Sequence, residues 1–261
     1  MDENLLVEER GAVLWLTLNR PAAMNALTPA MIGALDRAIT QAESNEHIRC
    51  VVITAVGRAF CAGADLKAVR SELGSDEQAL SGFLAQASGT MTRIENLPKP
   101  VIAAVNGSAF AGGLEIVLAC DLVLAAEQAM LGDAHVNFGL LPGGGSSVRL
   151  PLKVGVNRAR LMLYTGEPVS ASEFVACGFI QQVVPAAQLR DTTERLATSI
   201  AAKSPLVLRR LKQLVGAALE QPSATALQLE LAACDAHVWS HDFKEGLAAF
   251  QERRAPFFLG R

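Results

Sequence analysis

The sequence predicts a mixed α/β fold, in which strands and helices alternate up to about residue 195 and only helices follow. Three observations support this prediction: a strand pattern near the N-terminus, an internal repeat of strand-and-turn units, and two helix signals near the C-terminus. We therefore expect a core unit at residues 1–195 and a C-terminal helical segment at residues 196–261.

The strand signal comes first along the chain. The stretch "AVLWLTLN" alternates as a strand does, and it stops at Arg20 and Pro21. An internal repeat follows: "VITAVGRAFCAG" (52–63) matches "VIAAVNGSAFAGG" (101–113) once one insertion is allowed. Each copy has an apolar run, a glycine turn, Ala-Phe and small residues that lead into a predicted helix. We expect two adjacent units that place two loops side by side.

Two helix starts mark the C-terminal part of the chain. "SPLVLRRLKQLV" begins with Ser204, a favourable N-cap, and Pro205, which suits the first helical position. "DFKEGLAAFQERR" begins with a capping-box pattern from Asp242 to Glu245. The sequence therefore predicts one helix from Pro205 and another from about Asp242.

The repeat also predicts a site for negative charge. Its register puts Ala62 opposite Gly112, and backbone N–H groups at a helix start have no partner within the helix. Two such amides from neighbouring loops would form an oxyanion hole. Glu115 falls in the first turn of the second helix, where partial burial would raise its pKa and suit it to acid/base chemistry. This combination favours chemistry through an enolate.

Composition excludes several other classes of protein. Hydrophobic residues make up 51% of the 261 residues, which excludes a disordered chain, and the net charge of −3 gives no reason to expect nucleic acid or a membrane as partner. The acidic start shows no signal peptide, and no stretch is apolar enough for a membrane span. Five scattered cysteines indicate thiols in a reducing compartment, not a disulfide framework or a zinc site. We expect a soluble cytoplasmic protein.

Five segments resemble, in order, the enoyl-CoA hydratase/isomerase (crotonase) superfamily: "NRPAAMNAL" (19–27), "AFCAGADL" (59–66), "NGSAFAGGLEIVLACDLVLAA" (106–126), "FGLLPGGGSSVRLP" (138–151) and "EGLAAFQERRAPFF" (245–258). The resemblance implies a spiral of β-β-α units with a C-terminal helical trimerisation segment. It also implies an acyl-CoA substrate and an assembly of three subunits or a dimer of trimers. Because the thioester would accept the electrons once its oxygen is held, we expect no metal or redox cofactor.

The resemblance also assigns roles to individual residues. The amides of Ala62 and Gly112 would bind the thioester oxygen, and Glu115 matches the first of two catalytic glutamates. The coenzyme A ester would lie along Ala62, Gly63, Ala64, Asp65 and Leu66.

The second catalytic glutamate is replaced by His135, four residues before Gly139. His135 either holds water or shuttles a proton, with Asp133 orienting its ring, or it only fills space. Hydration of an enoyl-CoA, or the reverse dehydration, fits this pattern best. An enoyl-CoA isomerase and a catalytically silent acyl-CoA-binding protein stay as alternatives.

Three weaker candidates have simpler interpretations. His237 and His241 have the spacing of a zinc pair but no accompanying glutamate, so we expect surface or interface histidines. Cys61 lies next to the predicted oxyanion hole, but a buried thiol is the simpler interpretation. The glycines at 143–145 fit neither nucleotide-binding motif, and we expect them to line the acyl pocket.

Overall fold

The strands lie in two sheets in the computed structural model, which describes residues 4–73 and 76–261. The larger sheet has the order β1 (Leu5–Arg10), β2 (Val13–Leu18), β3 (Cys50–Ala55), β5 (Val101–Val105), β7 (Leu122–Ala126) and β10 (Gln182–Val184). The smaller sheet has the order β4 (Ala59–Cys61), β6 (Ser108–Phe110), β8 (Met130–Gly132) and β9 (Val169–Ser170). Neighbouring strands are parallel, except for the antiparallel pairs β1–β2 and β8–β9.

Helices surround the two sheets. They are α1 (Pro29–Ser44), α2 (Leu66–Leu73), α3 (Glu77–Asn96), α4 (Gly112–Ala119), α5 (Ser146–Val154), α6 (Val156–Thr165), α7 (Ala186–Ala201), α8 (Pro205–Glu220), α9 (Ser223–Val238) and α10 (His241–Glu252). Short 3-10 turns occur at Pro21–Ala23, His135–Phe138 and Ala171–Phe174. Within the two described ranges, none of these helices is long and apolar enough to cross a membrane.

The chain repeats a β-β-α unit, which confirms the predicted fold class. The first strand of each unit (β3, β5 and β7) joins the larger sheet, and the second strand (β4, β6 and β8) joins the smaller one. The two repeated segments of the sequence are the pairs β3–β4 and β5–β6. The predicted Ala-Phe part of each repeat therefore forms a strand of its own before the helix begins.

Strand β2 confirms the predicted N-terminal strand, but it is buried on both faces. Leu14 and Leu16 face the main core, whereas Val13 and Trp15 face a second apolar cluster on the other side of the sheet. Helix α7 covers that second side, because its Leu189, Ala197 and Ala201 belong to the same cluster. Burial of both faces is typical of a parallel sheet with helices on each side.

The start of α8 confirms the predicted cap, because the hydroxyl of Ser204 accepts from the amide of Val207 over 3.2 Å. The predicted capping box at Asp242 is wrong. Helix α10 starts one residue earlier, and Ser240 is its cap, accepting from the amide of Phe243 over 3.1 Å. The Asp242 side chain is buried and accepts instead from the amide of Leu259 over 2.8 Å.

The predicted boundary between residues 195 and 196 lies inside α7, which packs on the larger sheet. The chain leaves the sheet only where α8 begins, at Pro205. The division into a core and a helical oligomerisation segment stays a prediction.

Candidate active site

Helix α4 begins beside the loop that follows β4, and this sets the geometry of the site. A bulge in β4 shifts the pairing of the two strands, so that Ala59 pairs with Ser108 but Cys61 pairs with Ala109. If the pairing of Cys61 with Ala109 is continued for three residues, Ala64 lies opposite Gly112. The alignment of the two repeats had placed Ala62 opposite Gly112.

The amide of Ala62 is already used elsewhere. It donates to the carbonyl of Met24 over 3.0 Å, which contradicts the expectation that this amide faces the site. The amide of Ala64 is better placed. Leu27 forms a parallel bridge with Ala64. In this bridge the amide of Leu27 donates to the carbonyl of Gly63 over 2.7 Å, and the carbonyl of Leu27 accepts from the amide of Asp65. The N–H of Ala64 therefore points away from Leu27.

The N-terminus of α4 supplies the second amide. A Cβ atom built on Gly112 would lie 3.8 Å from the amide nitrogen of Ala64, so the two loops meet at this point. Gly112 is the first residue of the helix, and its amide has no carbonyl in the preceding turn to bind. The preceding residue, Ala111, has a φ of 48° and a ψ of −118°, a strained conformation for alanine. Such strain is often stored at functional sites.

Glu115 lies in the first turn of α4 with 4% of its surface exposed. Its Oε1 accepts from the amide of Gly144 over 2.7 Å and from the amide of Ser146 over 3.2 Å. Burial raises the pKa of the Glu115 carboxyl, while the two amides and the charge of His135 act in the opposite direction. The group is therefore suited to accept and release a proton.

His135 forms a pair with the buried side chain of Asp133, with 3.0 Å between Nδ1 and Oδ1. The backbone between them is a tight turn: Ala134 has a φ of 30°, and the amide of His135 donates to the carbonyl of Asp133. Burial alone would lower the pKa of His135, but the hydrogen bond and charge of Asp133, together with the charge of Glu115, raise it overall. The structure thus brings His135, Asp133 and Glu115 into one electrostatic cluster.

The profile of the family described as "Enoyl-CoA hydratase/isomerase" matches residues 8–261. The chain belongs to this family. A short-chain-enoyl-CoA hydratase of Clostridium acetobutylicum is 33% identical over 252 residues, which cover 96% of this chain and 95% of the other. YngF of Bacillus subtilis, which is named for the same family, is 42% identical over 246 residues, covering 94% of both chains. The crystal structure of an enoyl-CoA hydratase from Bacillus anthracis superposes with a TM-score of 0.94 at 37% identity, covering 99% of this chain and 100% of that one.

The remaining residues expected to contact coenzyme A form the segment between β4 and α2. Gly63 has a φ of +99°, and a Cβ there would lie 2.9 Å from that of Ala111, so this position favours glycine. Asp65 accepts from the amide of Ala68 over 3.0 Å and pairs with Arg20 at the same distance. Leu66 begins α2 and is half exposed. The Asp65 side chain therefore fixes the loop, and the contact of this segment with coenzyme A stays a prediction.

The weaker candidates have structural surroundings of their own. Burial raises the pKa of the Cys61 thiol to about 12, so this thiol is a poor nucleophile. The Nδ1 of His237 lies 3.2 Å from the hydroxyl of Ser240. Across the described ranges, no group of three or more His, Cys, Asp or Glu side chains could hold a metal ion.

Three residues support the site in roles that the sequence did not reveal: Asn25, Gly144 and Arg149. The amide side chain of Asn25 is fully buried and donates to the carbonyls of Val56 and Ala59. These bonds hold the loop whose Met24 carbonyl accepts from the amide of Ala62. The other two are Gly144, which was expected only to line a pocket, and Arg149, whose Nη1 donates to the Gly144 carbonyl. Three successive glycines were the one signal that a backbone comes close to another group here.

Proposed function

We propose that the protein adds water to trans-2-enoyl-CoA to form 3-hydroxyacyl-CoA, or catalyses the reverse reaction. One observation carries this proposal: a buried carboxyl group, Glu115, lies one helical turn from two converging amides, those of Ala64 and Gly112. The names of the relatives support the same reaction.

The oxyanion hole in this proposal consists of the amides of Ala64 and Gly112. Donation from both to the thioester oxygen stabilises the enolate that develops when C3 is attacked. The amide of Ala62 has no part in it, because it is bonded to Met24. The thioester itself accepts the electron pair, so the proposed reaction needs no metal or redox cofactor.

Glu115 acts as the base toward water. Two backbone amides hold its Oε1, which leaves Oε2 to accept the proton of a water molecule as the oxygen bonds to C3. Nε2 of His135 then donates a proton to C2, because Nδ1 is held by Asp133. The carbon–carbon double bond is replaced by one C–O and one C–H bond. The proton taken by Glu115 finally returns to His135, which restores the resting state.

Asp133 completes the charge balance of this cluster. With Glu115 and Asp133 as carboxylates and His135 as an imidazolium, the three side chains carry one net negative charge and one transferable proton. Two carboxyl groups that share one proton have the same balance. In the proposed mechanism an Asp–His pair thereby replaces one protonated carboxylic acid, which is the role that the proposal gives to His135.

Assembly into a homotrimer or a dimer of trimers is also part of the proposal. Large apolar side chains are exposed on the C-terminal helices, which supports their burial against other subunits; they include Leu211, Val215, Leu219, Leu227, Leu231 and Phe250. All five cysteines are free thiols, which supports action in a reducing compartment such as the cytoplasm.

A hydration assay on crotonyl-CoA and longer enoyl-CoAs tests the proposal, with wild type, Glu115→Gln and Glu173→Gln compared. Glu173 is an exposed glutamate paired with Arg158, so its variant controls for loss of a carboxylate. We expect hydration by wild type and the control, and its loss in Glu115→Gln. A wild type that binds CoA esters but hydrates none would establish a silent binding protein. Conversion of a 3-enoyl-CoA without hydration would establish an isomerase.

A further inference from the structure

We propose that Arg149 is a positioning residue for Glu115, that it acts through the backbone of Gly144, and that Glu95 anchors it. This inference rests on the proposed role of Glu115 as the acid/base.

The carboxyl group of Glu115 contacts the loop that contains Gly144. Gly144 donates its N–H to Oε1 of Glu115 over 2.7 Å, so the orientation of this loop determines the orientation of the carboxyl group. A Cβ on Gly144 would lie 2.6 Å from Oε2 of Glu115. The backbone of Gly144 therefore lies directly against the carboxylate, with no room for a side chain between them.

Arg149 contacts the same loop from its other side. Nη1 of Arg149 donates to the carbonyl of Gly144 over 2.7 Å, inside the protein. A Cβ on Gly145 would lie 2.0 Å from the same nitrogen, so only glycine allows the guanidinium to approach. The carbonyl and the N–H of Gly144 thus bind Arg149 on one side and Glu115 on the other.

Arg149 is itself held by residues of another helix, α3. Nε and Nη2 of Arg149 both donate to Oε2 of Glu95 on α3, over 2.9 and 2.6 Å, and Nη2 also reaches the hydroxyl of Thr92 over 3.3 Å. All three guanidinium nitrogens are therefore used, and only 10% of the Arg149 side chain is exposed. A planar group held at three nitrogens has little freedom, as positioning requires.

The test compares Arg149→Met and Arg149→Lys with wild type and with Arg158→Met. Arg158 also forms an ion pair with a glutamate, at 2.7 Å, but on the exposed face of α6, which makes it a matched control. Two quantities are measured: kcat and KM for crotonyl-CoA, and the titration of Glu115 by NMR of ¹³C-labelled glutamate, assigned by its loss in Glu115→Gln. Melting temperature and circular dichroism report on folding.

We expect kcat of Arg149→Met to fall by about 10- to 100-fold with little change in KM, because a displaced catalytic group loses rate rather than binding. The Glu115 titration should move to higher pH, because the carboxylate loses amide donors. Arg149→Lys should fall between this variant and wild type, and Arg158→Met should match wild type. In the Glu115→Gln background, Arg149→Met should cause no further loss.

A folded Arg149→Met protein with unchanged kcat and unchanged Glu115 titration would overturn the proposal. So would an equal loss in the Glu115→Gln background. If Arg149→Met does not fold, Arg149→Lys and Glu95→Gln decide by the same measurements. The NMR titration does not depend on turnover, so it tests the role of Arg149 even if wild type shows no hydration.

Discussion

The amide of Gly144 donates to Oε1 of Glu115 over 2.7 Å, although 29 residues separate the two in sequence. This hydrogen bond holds one carboxylate oxygen, and the proposed mechanism assigns the other to a water molecule. It also favours the ionised form of a carboxyl group whose burial favours the neutral form. The balance between these two effects sets the proton affinity on which the proposed reaction depends.

Replacement of Glu115 by glutamine should reduce kcat for hydration by about 10²- to 10⁴-fold, the usual contribution of a general acid or base. Glutamine keeps an oxygen that can accept from Gly144, so the loop and the binding of CoA esters should be preserved. Calorimetric titration with butyryl-CoA checks the binding. A variant that hydrates crotonyl-CoA at the wild-type rate would exclude Glu115 as the base.

The rate of hydration should pass through a maximum as the pH increases. Activity should increase with pH as Glu115 ionises, above the usual range for a glutamate because its pKa is raised. Activity should then decrease as His135 loses its proton, above the usual range for a histidine because its pKa is also raised. The profile of kcat against pH measures both limbs.

The variant Asp133→Asn should move the alkaline limb to lower pH, because His135 loses the carboxylate that stabilises its imidazolium form. The exposed His47 offers a control, and His47→Gln should leave the profile unchanged. If Asp133→Asn shifts neither limb, His135 is not the proton donor.

Replacement of Gly113 by alanine should destabilise the fold. The added Cβ would lie 2.2 Å from the carbonyl oxygen of Cys61, so α4 would have to move away from β4 at a cost of about 1–3 kcal/mol or more. Gly89→Ala is the matched control. It lies within α3 with open space around its Cβ position, and should stabilise the protein by about 0.5–1 kcal/mol. Urea unfolding measures both, and equal stabilities would contradict the close approach.

Disruption of the apolar surface on α9 should prevent assembly. Leu227 and Leu231 are one helical turn apart and about two-thirds exposed, so Leu227→Glu with Leu231→Glu introduces two charges on one face. Gln228→Glu adds a charge at an exposed polar position of the same helix, leaves Leu227 and Leu231 in place, and serves as control. Light scattering should show a multiple of the 27.6 kDa chain mass for wild type and control, and a single chain for the double variant. An assembled double variant would place the interface elsewhere.

The sequence allows the fold and the main features of the site to be predicted because these depend on local patterns. The repeat at 52–63 and 101–113 predicts adjacent β units, and small residues around Glu115 predict a carboxyl group at a helix N-terminus. Ser204 and Pro205 predict the start of α8, because a cap and a fixed φ act within one turn. These signals need no knowledge of distant contacts.

Features that depend on distant contacts were not predictable. The observed pairing begins one residue away from the repeat alignment, with Ala59 instead of Arg58 opposite Ser108, and the bulge in β4 adds a second residue. Position 64 therefore replaces position 62 opposite Gly112, and no residue in the repeat encodes this shift. The carboxyl of Asp242 accepts from the chain 17 residues later instead of capping its own helix. Likewise, Arg149 reaches Glu95 across 54 residues, so its role is visible only once α3 and α5 are placed together.

The position of a bound thioester oxygen would show which amides form the oxyanion hole. A crystal structure with butyryl-CoA, which cannot be hydrated, should show this oxygen within about 3.2 Å of the amide nitrogens of both Ala64 and Gly112. The Ala62 amide should still donate to Met24. An oxygen bound to Ala62, or turned away from Gly112, would contradict the proposed oxyanion hole and the mechanism built on it.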